Sequence, residues 1–127
     1  MSETTVNVRY MIEDVAAAAE FYRRHLGFSI ETNAGPAFVS ITRGTLRLLL
    51  SGPGSSGARA LPDGRKPTPG GWNRIQLVVD DLAAEAARLT EAGVLFRSGI
   101  ISGPGGAQIV MDDPSGNPIE LFQPGAR

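Results

Sequence analysis

One order of elements, strand, helix and three strands, is written twice along this 127-residue sequence. In the first copy Val6, Val8, Tyr10 and Ile12 alternate with Asn7, Arg9 and Met11, the period-two pattern of a strand with one face on a core. Asp14 then offers an N-cap to the alanine-rich DVAAAAEFYRRHLGF, whose Val15, Ala18, Phe21, Tyr22 and Leu26 fall on or near one helical stripe. Gly27 is its natural stop. FSIET, AFVSIT and TLRLLLS follow as strands, the last two joined by a tight turn at Arg43 and Gly44.

The second copy opens with WNRIQLVV, in which Ile75, Leu77 and Val79 oppose Trp72, Arg74, Gln76 and Val78. Asp80 and Asp81 begin another alanine-rich helix that stops at Gly93, and VLFRS, AQIVMD and PIELFQ complete the order, with DPSGN as the last turn. Asn7 stands seven residues before Asp14, and Arg74 stands seven before Asp81. The spacing predicts one domain of two modules, residues 1–51 and 72–127, joined by a Gly-, Pro- and Ser-rich segment at 52–71. That segment either simply joins the modules, covers the mouth of a pocket, or lets one module pair with the other module of a second chain.

With 42% hydrophobic and 20% charged residues, the chain has the means to bury a core. A net charge of -1 leaves no surplus of cations to neutralise phosphates or hold an anionic membrane, so nucleic acid and membrane partners are not expected. The absence of cysteine removes disulfides, thiolate metal sites and cysteine nucleophiles together. No apolar run approaches the length of a membrane span, and a cytoplasmic protein is expected.

The repeat, the EFYRRHLGF helix end and the DDPSGNPIELFQP tail resemble the vicinal oxygen chelate superfamily. That superfamily includes glyoxalase I, extradiol dioxygenases, fosfomycin resistance proteins and bleomycin resistance proteins. The resemblance implies an α+β fold in which two βαβββ modules form a curved mixed-sheet cup with helices on its outer face. It also implies a homodimer, sometimes with exchanged modules. In the family a divalent metal sits in the cup, held by side chains from the first and last strands of both modules.

Carried over position by position, that ligand set is mostly missing. The first-strand position falls on Asn7, a poor transition-metal ligand, and its counterpart in the second module falls on Arg74, which only donates. The last-strand position of the first module falls on Leu48 or Leu49, and only Glu120 in the second module matches. One carboxylate is short of the three or four ligands a metal requires, so neither a metal nor any other cofactor is expected. Arg74 facing Glu120 would then stand in for the missing cation.

His25, the sole histidine, falls in the last turn of the first helix, where it meets the negative end of the helix dipole and takes a structural role. No serine is placed beside it by any motif, so a nucleophilic triad is not expected. GPGSSG and SGPGG lack the Lys and Ser/Thr of a phosphate-cradling loop and read as turns.

If the family's ligand positions face the cup, alternation fixes their neighbours. The lining is then Asn7, Arg9, Phe38 and Ser40 from the first module, with Trp72, Arg74, Gln76, Gln108, Val110, Glu120 and Phe122 from the second. Each aromatic also has a packing role open to it, Trp72 as a cap on the core and Phe38 and Phe122 as filling. The leading expectation is a metal-free protein that sequesters a planar, mostly apolar small molecule, like the antibiotic-binding members of the superfamily. Trp72, Phe38 and Phe122 would stack on it, and Arg9, Arg74, Gln76, Gln108 and Glu120 would orient it. The alternative is a lyase, isomerase or dioxygenase of the superfamily with Glu120 as general base. A third reading is a structural or regulatory dimer whose cup is filled by its own side chains.

Overall fold

The computed structural model describes residues 5–125. These form two compact units, one made by the chain up to Gly70 and the other by the chain from Gly71 onward. Each unit is a βαβββ module with one helix and an open four-stranded mixed sheet, so the fold is α+β with two modules.

In the first unit the elements are β1 (Asn7–Met11), α1 (Val15–Leu26), β2 (Ser29–Asn33), β3 (Phe38–Arg43) and β4 (Leu46–Ser51). The sheet order is β1-β4-β3-β2, with β1 parallel to β4 and the remaining pairs antiparallel. Asp14 caps α1 by accepting from Ala17 N at 3.1 Å. Gly27 ends it in the left-handed region (φ 70), which a residue with a Cβ adopts at a cost. The helix buries Val15, Ala18, Ala19, Tyr22 and Leu26. Phe21 is only half-buried and sets its ring edge-on to Tyr22 and His25. Val39, Ile41, Leu48 and Leu50 complete the core under the helix. The apolar side of β1 is buried only in its second half, at Tyr10 and Ile12, while Val6 is exposed.

After β4 the chain stays with the first unit. Gly52 N donates to Ala37 O at 2.8 Å, and a 3₁₀ turn at Ser56–Ala58 buries Ala58 against β1 and β4. Further on, Leu61 and Arg65 close a small loop through Leu61 N to Arg65 O at 2.7 Å. The start of the segment, residues 52–58, is therefore folded against the first unit, despite a composition that reads as tether, while residues 59–71 are mostly exposed.

The second unit contains β5 (Ile75–Val78), α2 (Leu82–Glu91), β6 (Ile101–Gly103), β7 (Gly106–Asp112) and β8 (Pro118–Pro124), in the sheet order β5-β8-β7-β6. Asp81 caps α2 through Ala84 N at 3.0 Å, and Gln123 Oε1 on β8 accepts from Leu82 N at 2.7 Å, tying the start of the helix to the sheet. Buried Ile75, Leu77, Ile109, Met111, Ile119 and Leu121 alternate along their strands and make the helix-covered face.

One strand differs from the sequence reading. VLFRS makes only an isolated bridge, Phe96 to Met111, with Arg97 N donating to Val110 O at 2.8 Å. The outer strand is instead Ile101–Gly103, in a stretch that reads as turn from its glycines. The cause lies in Ser98 and Gly99, which break the pairing after Arg97, and in the length of β7, which serves both segments as partner.

Candidate functional site

In each unit the face turned away from the helix carries the polar side chains. Register decides which residues share it, because residues opposite one another in a ladder point to the same side. In the second unit Gln76 pairs with Glu120 and Val78 with Phe122, while across β7 Val110 pairs with Glu120 and Gln108 with Phe122. Gln76, Gln108, Val110, Glu120 and Phe122 therefore lie on one face, and Arg74, just before β5, reaches onto it.

Glu120 is the centre of that face. Its Oε1 accepts from Arg74 Nε at 3.0 Å and lies 2.9 Å from Arg74 Nη2, while Oε2 accepts from Gln76 Nε2 at 2.7 Å. The Glu120 side chain is 9% exposed and that of Arg74 25%. A carboxylate this enclosed needs its donors, since an unpaired buried charge is costly to desolvate. Arg74 also donates through Nη1 to Trp72 O at 3.3 Å. Val110 is buried beside Glu120, and Gln108 and Phe122 are half-buried. A Cβ at Gly106 would strike Gln123 O and come within 3.0 Å of the Phe122 ring, so glycine at that turn gives the ring its seat.

Trp72 precedes the strand and is 69% exposed, with its ring 4.5 Å from the Arg97 guanidinium carbon. Arg97 itself donates to Asp112 Oδ1 at 2.7 Å, to Gly71 O at 2.7 Å and to Gly116 O at 3.0 Å. No motif in the sequence marks Arg97, Asp112 or Gly116 as partners. An arginine inside an otherwise apolar segment is the one trace they leave in the sequence.

In the first unit Arg9 Nη1 donates to Ser51 Oγ at 2.8 Å, beneath the 3₁₀ turn, where a Cβ on Gly57 would collide with the Arg9 guanidinium. Asn7 is exposed opposite Arg47, and Phe38 is half-buried opposite Ser51. Buried Ser40 donates to Glu31 Oε1 at 3.0 Å, and Arg47 Nη2 donates to Glu31 Oε2 at 3.0 Å. Arg47, and then Ser40, hold the Glu31 carboxyl below the usual carboxylate range. Neither Glu31 nor Arg47 is legible from motif or spacing. A bulge between Ile30 and Thr32 turns Glu31 toward Ser40.

The register also chooses between Leu48 and Leu49. Leu49 is opposite Arg9 as Glu120 is opposite Gln76, and Arg9 occupies in the first copy the place of Gln76 in the second, so Leu49 is the counterpart of Glu120. The first- and last-strand positions are thus Asn7, Leu49, Arg74 and Glu120. They do not fit a metal: leucine offers no lone pair, arginine brings a positive charge, and both oxygens of Glu120 are engaged by Arg74 and Gln76. Among the described residues no group of three or more His, Asp or Glu is gathered closely enough to hold an ion. His25 is on α1, beside Phe21.

Two βαβββ modules with polar clusters on their open sheet faces define an architecture shared by binding proteins and enzymes. The family model of the Glyoxalase/Bleomycin resistance protein/Dioxygenase superfamily matches residues 5–121, and the chain belongs to that superfamily. Among solved structures it is similar to a superfamily member from Sphaerobacter thermophilus, at 27% identity and TM-score 0.76 over 96% of this chain and 98% of that one. It is similar to TnmS3, an antibiotic binding protein from a Streptomyces species, at 26% identity and TM-score 0.69 over 98% and 100%. The lactoylglutathione lyase of Agrobacterium tumefaciens shares the fold, at 22% identity and TM-score 0.73 over 96% and 94%. No curated protein sequence matches significantly.

Proposed function

We propose that this protein binds a planar, mostly apolar small molecule without a metal and holds it unchanged, giving resistance by sequestration. The observation that carries this reading is the state of Glu120. The one carboxylate at a family ligand position is enclosed and held by Arg74 and Gln76, which suits it to orienting a ligand. The enzymatic alternative is opposed by the neighbours of Glu120 on that face, Arg74, Gln76, Gln108, Val110 and Phe122, none of which can serve as a second acid or base. In the second unit, half-buried Phe122 and Gln108 and exposed Trp72 supply aromatic surface and polar handles of the kind small-molecule sites use. The likeness to TnmS3, which binds an antibiotic, adds support from a relative.

A homodimer, with modules exchanged or not, belongs to the same reading. Exposed Val78 on edge strand β5 and Ile101 on edge strand β6 support it, since such edges favour covering. A cytoplasmic location is part of the proposal as well, and no helix among the described residues is long and apolar enough to cross a membrane. Mass spectrometry of small molecules released from natively purified protein tests the reading. A recovered aromatic compound that rebinds without chemical change supports it, and a compound converted to product on rebinding overturns it.

A further inference from the structure

We infer that Arg97 is the positioning residue for Trp72, holding the indole as a platform whose other face stacks on a neutral, electron-rich planar ligand. This rests on the sequestration reading and adds to it a residue and a ligand class. The first support is the way Arg97 is used. All three of its nitrogens are committed in the guanidinium plane, to Asp112, Gly71 and Gly116, at 2.7, 2.7 and 3.0 Å. These three bonds fix the guanidinium plane, and one of its flat faces lies against the Trp72 ring at 4.5 Å.

The second support is the chain around Trp72. Gly70 and Gly71 both have positive φ, 113 and 90, so the backbone before the indole is one that glycine freedom permits and side-chain packing does not fix. Arginines clamp both carbonyls there, Arg97 on Gly71 O and Arg74 on Trp72 O. A large aromatic 69% exposed to solvent is thereby held in place, which lowers the entropy lost when a ligand stacks on it.

The third support is location. Phe96 opposes Met111, which belongs to the helix-covered face, so Arg97 and Asp112, each one residue along, lie on the face of Glu120 and Val110. The platform and the Glu120 cluster therefore share one side of the sheet. The chemistry of the ligand follows from the cation. A guanidinium over one face of an indole draws π density toward itself, so the opposite face attracts a second cation poorly and stacks well with a neutral, electron-rich ring. Asp112 balances the charge in the guanidinium plane and leaves the indole contact in place.

Trp72 is the only tryptophan, so its fluorescence reports on this site alone. The experiment measures steady-state anisotropy of Trp72 in the free protein, then equilibrium binding of two probes of equal ring area, neutral 2-naphthol and cationic N-methylquinolinium. Wild type, Arg97→Ala, Arg97→Lys, Trp72→Ala and the Trp72→Ala/Arg97→Ala double variant are compared. The expected result is lower anisotropy in both Arg97 variants, since lysine keeps the charge without the planar fork. Wild type should prefer 2-naphthol, and Arg97→Ala should weaken that probe by about threefold to tenfold. The double variant should bind like Trp72→Ala, because Arg97 acts through the indole. Unchanged anisotropy in Arg97→Ala, an unchanged ratio of the two affinities, or additive losses in the double variant would each overturn the inference. If wild type binds neither probe, the ligand half of the inference falls, while the sequestration reading stands or falls by the released compound and its rebinding. The anisotropy, read without ligand, still decides the positioning role.

Discussion

Arg74 and Glu120, 46 residues apart in sequence, meet with two guanidinium nitrogens on one carboxylate oxygen, at 3.0 and 2.9 Å, leaving the second oxygen to Gln76. This is the place where the family resemblance puts a first-strand and a last-strand ligand on one metal. The cation there is part of the chain itself.

The degree of enclosure sets the energetic consequence. Arg74→Met, Glu120→Gln and their double variant should show a coupling of about 1–3 kcal/mol in denaturant unfolding, because the pair is largely withdrawn from water. The helix-surface pair Glu20 and Arg23, about half exposed, should couple far more weakly. Equal, small coupling in both pairs would mean that Glu120 is well solvated and would remove the argument built on its burial.

Once the family resemblance put Arg74 and Glu120 on one face, the placing of Gln76 beside them was legible in the sequence from period-two alternation. The helix caps were legible for the same kind of reason, a short local pattern with one physical cause. Arg97 was not, since its partners Asp112, Gly71 and Gly116 are brought to it by the bridge at Phe96 and by the last turn. Glu31 was hidden too, because a bulge breaks the alternation that would have assigned its face. The segment 52–71 reads as a tether from composition, and nothing in its pattern announces that Ala58 is buried or that Gly57 lies against Arg9.

Gly57 should be intolerant of a side chain. The added methyl of Gly57→Ala collides with the Arg9 guanidinium, so the Arg9 bond to Ser51 should break or the turn should lift. Amide exchange at residues 56–58 is expected to quicken in the variant. Exchange as slow as in wild type, with the Arg9 bond intact, would show that the turn does not rest on Arg9.

The two N-caps should be worth similar amounts. Asp14→Ala and Asp81→Ala each remove one acceptor from a helix start, at 3.1 and 3.0 Å, and should each cost about 1 kcal/mol in unfolding free energy. Asp81→Ala should be the milder of the two, because Gln123 also serves the first turn of α2. A larger loss at Asp81 would contradict that role for Gln123.

Glu31 makes a prediction about pH. Its carboxyl is lowered from 4.5 by the Arg47 bond first and the Ser40 bond second. A lowered folded-state value means that the contribution of this pair is present above the unfolded value near 4.5 and fades as pH falls through the folded value. Arg47→Met should therefore move the Glu31 carboxyl titration upward, toward 4.5, as followed by carbon-detected NMR. A titration unmoved by that substitution would show that the ion pair does not persist in solution.

The claim that Glu120 serves Arg74 and Gln76, and no metal, is tested most directly by elemental analysis of protein dialysed with and without chelator, alongside equilibrium binding of Zn²⁺, Ni²⁺ and Mn²⁺. The account predicts metal content well below one ion per chain in either case, and binding too weak to survive dialysis, because a lone engaged carboxylate cannot supply a coordination sphere. Near one ion per chain that survives dialysis and disappears in Glu120→Gln would contradict it.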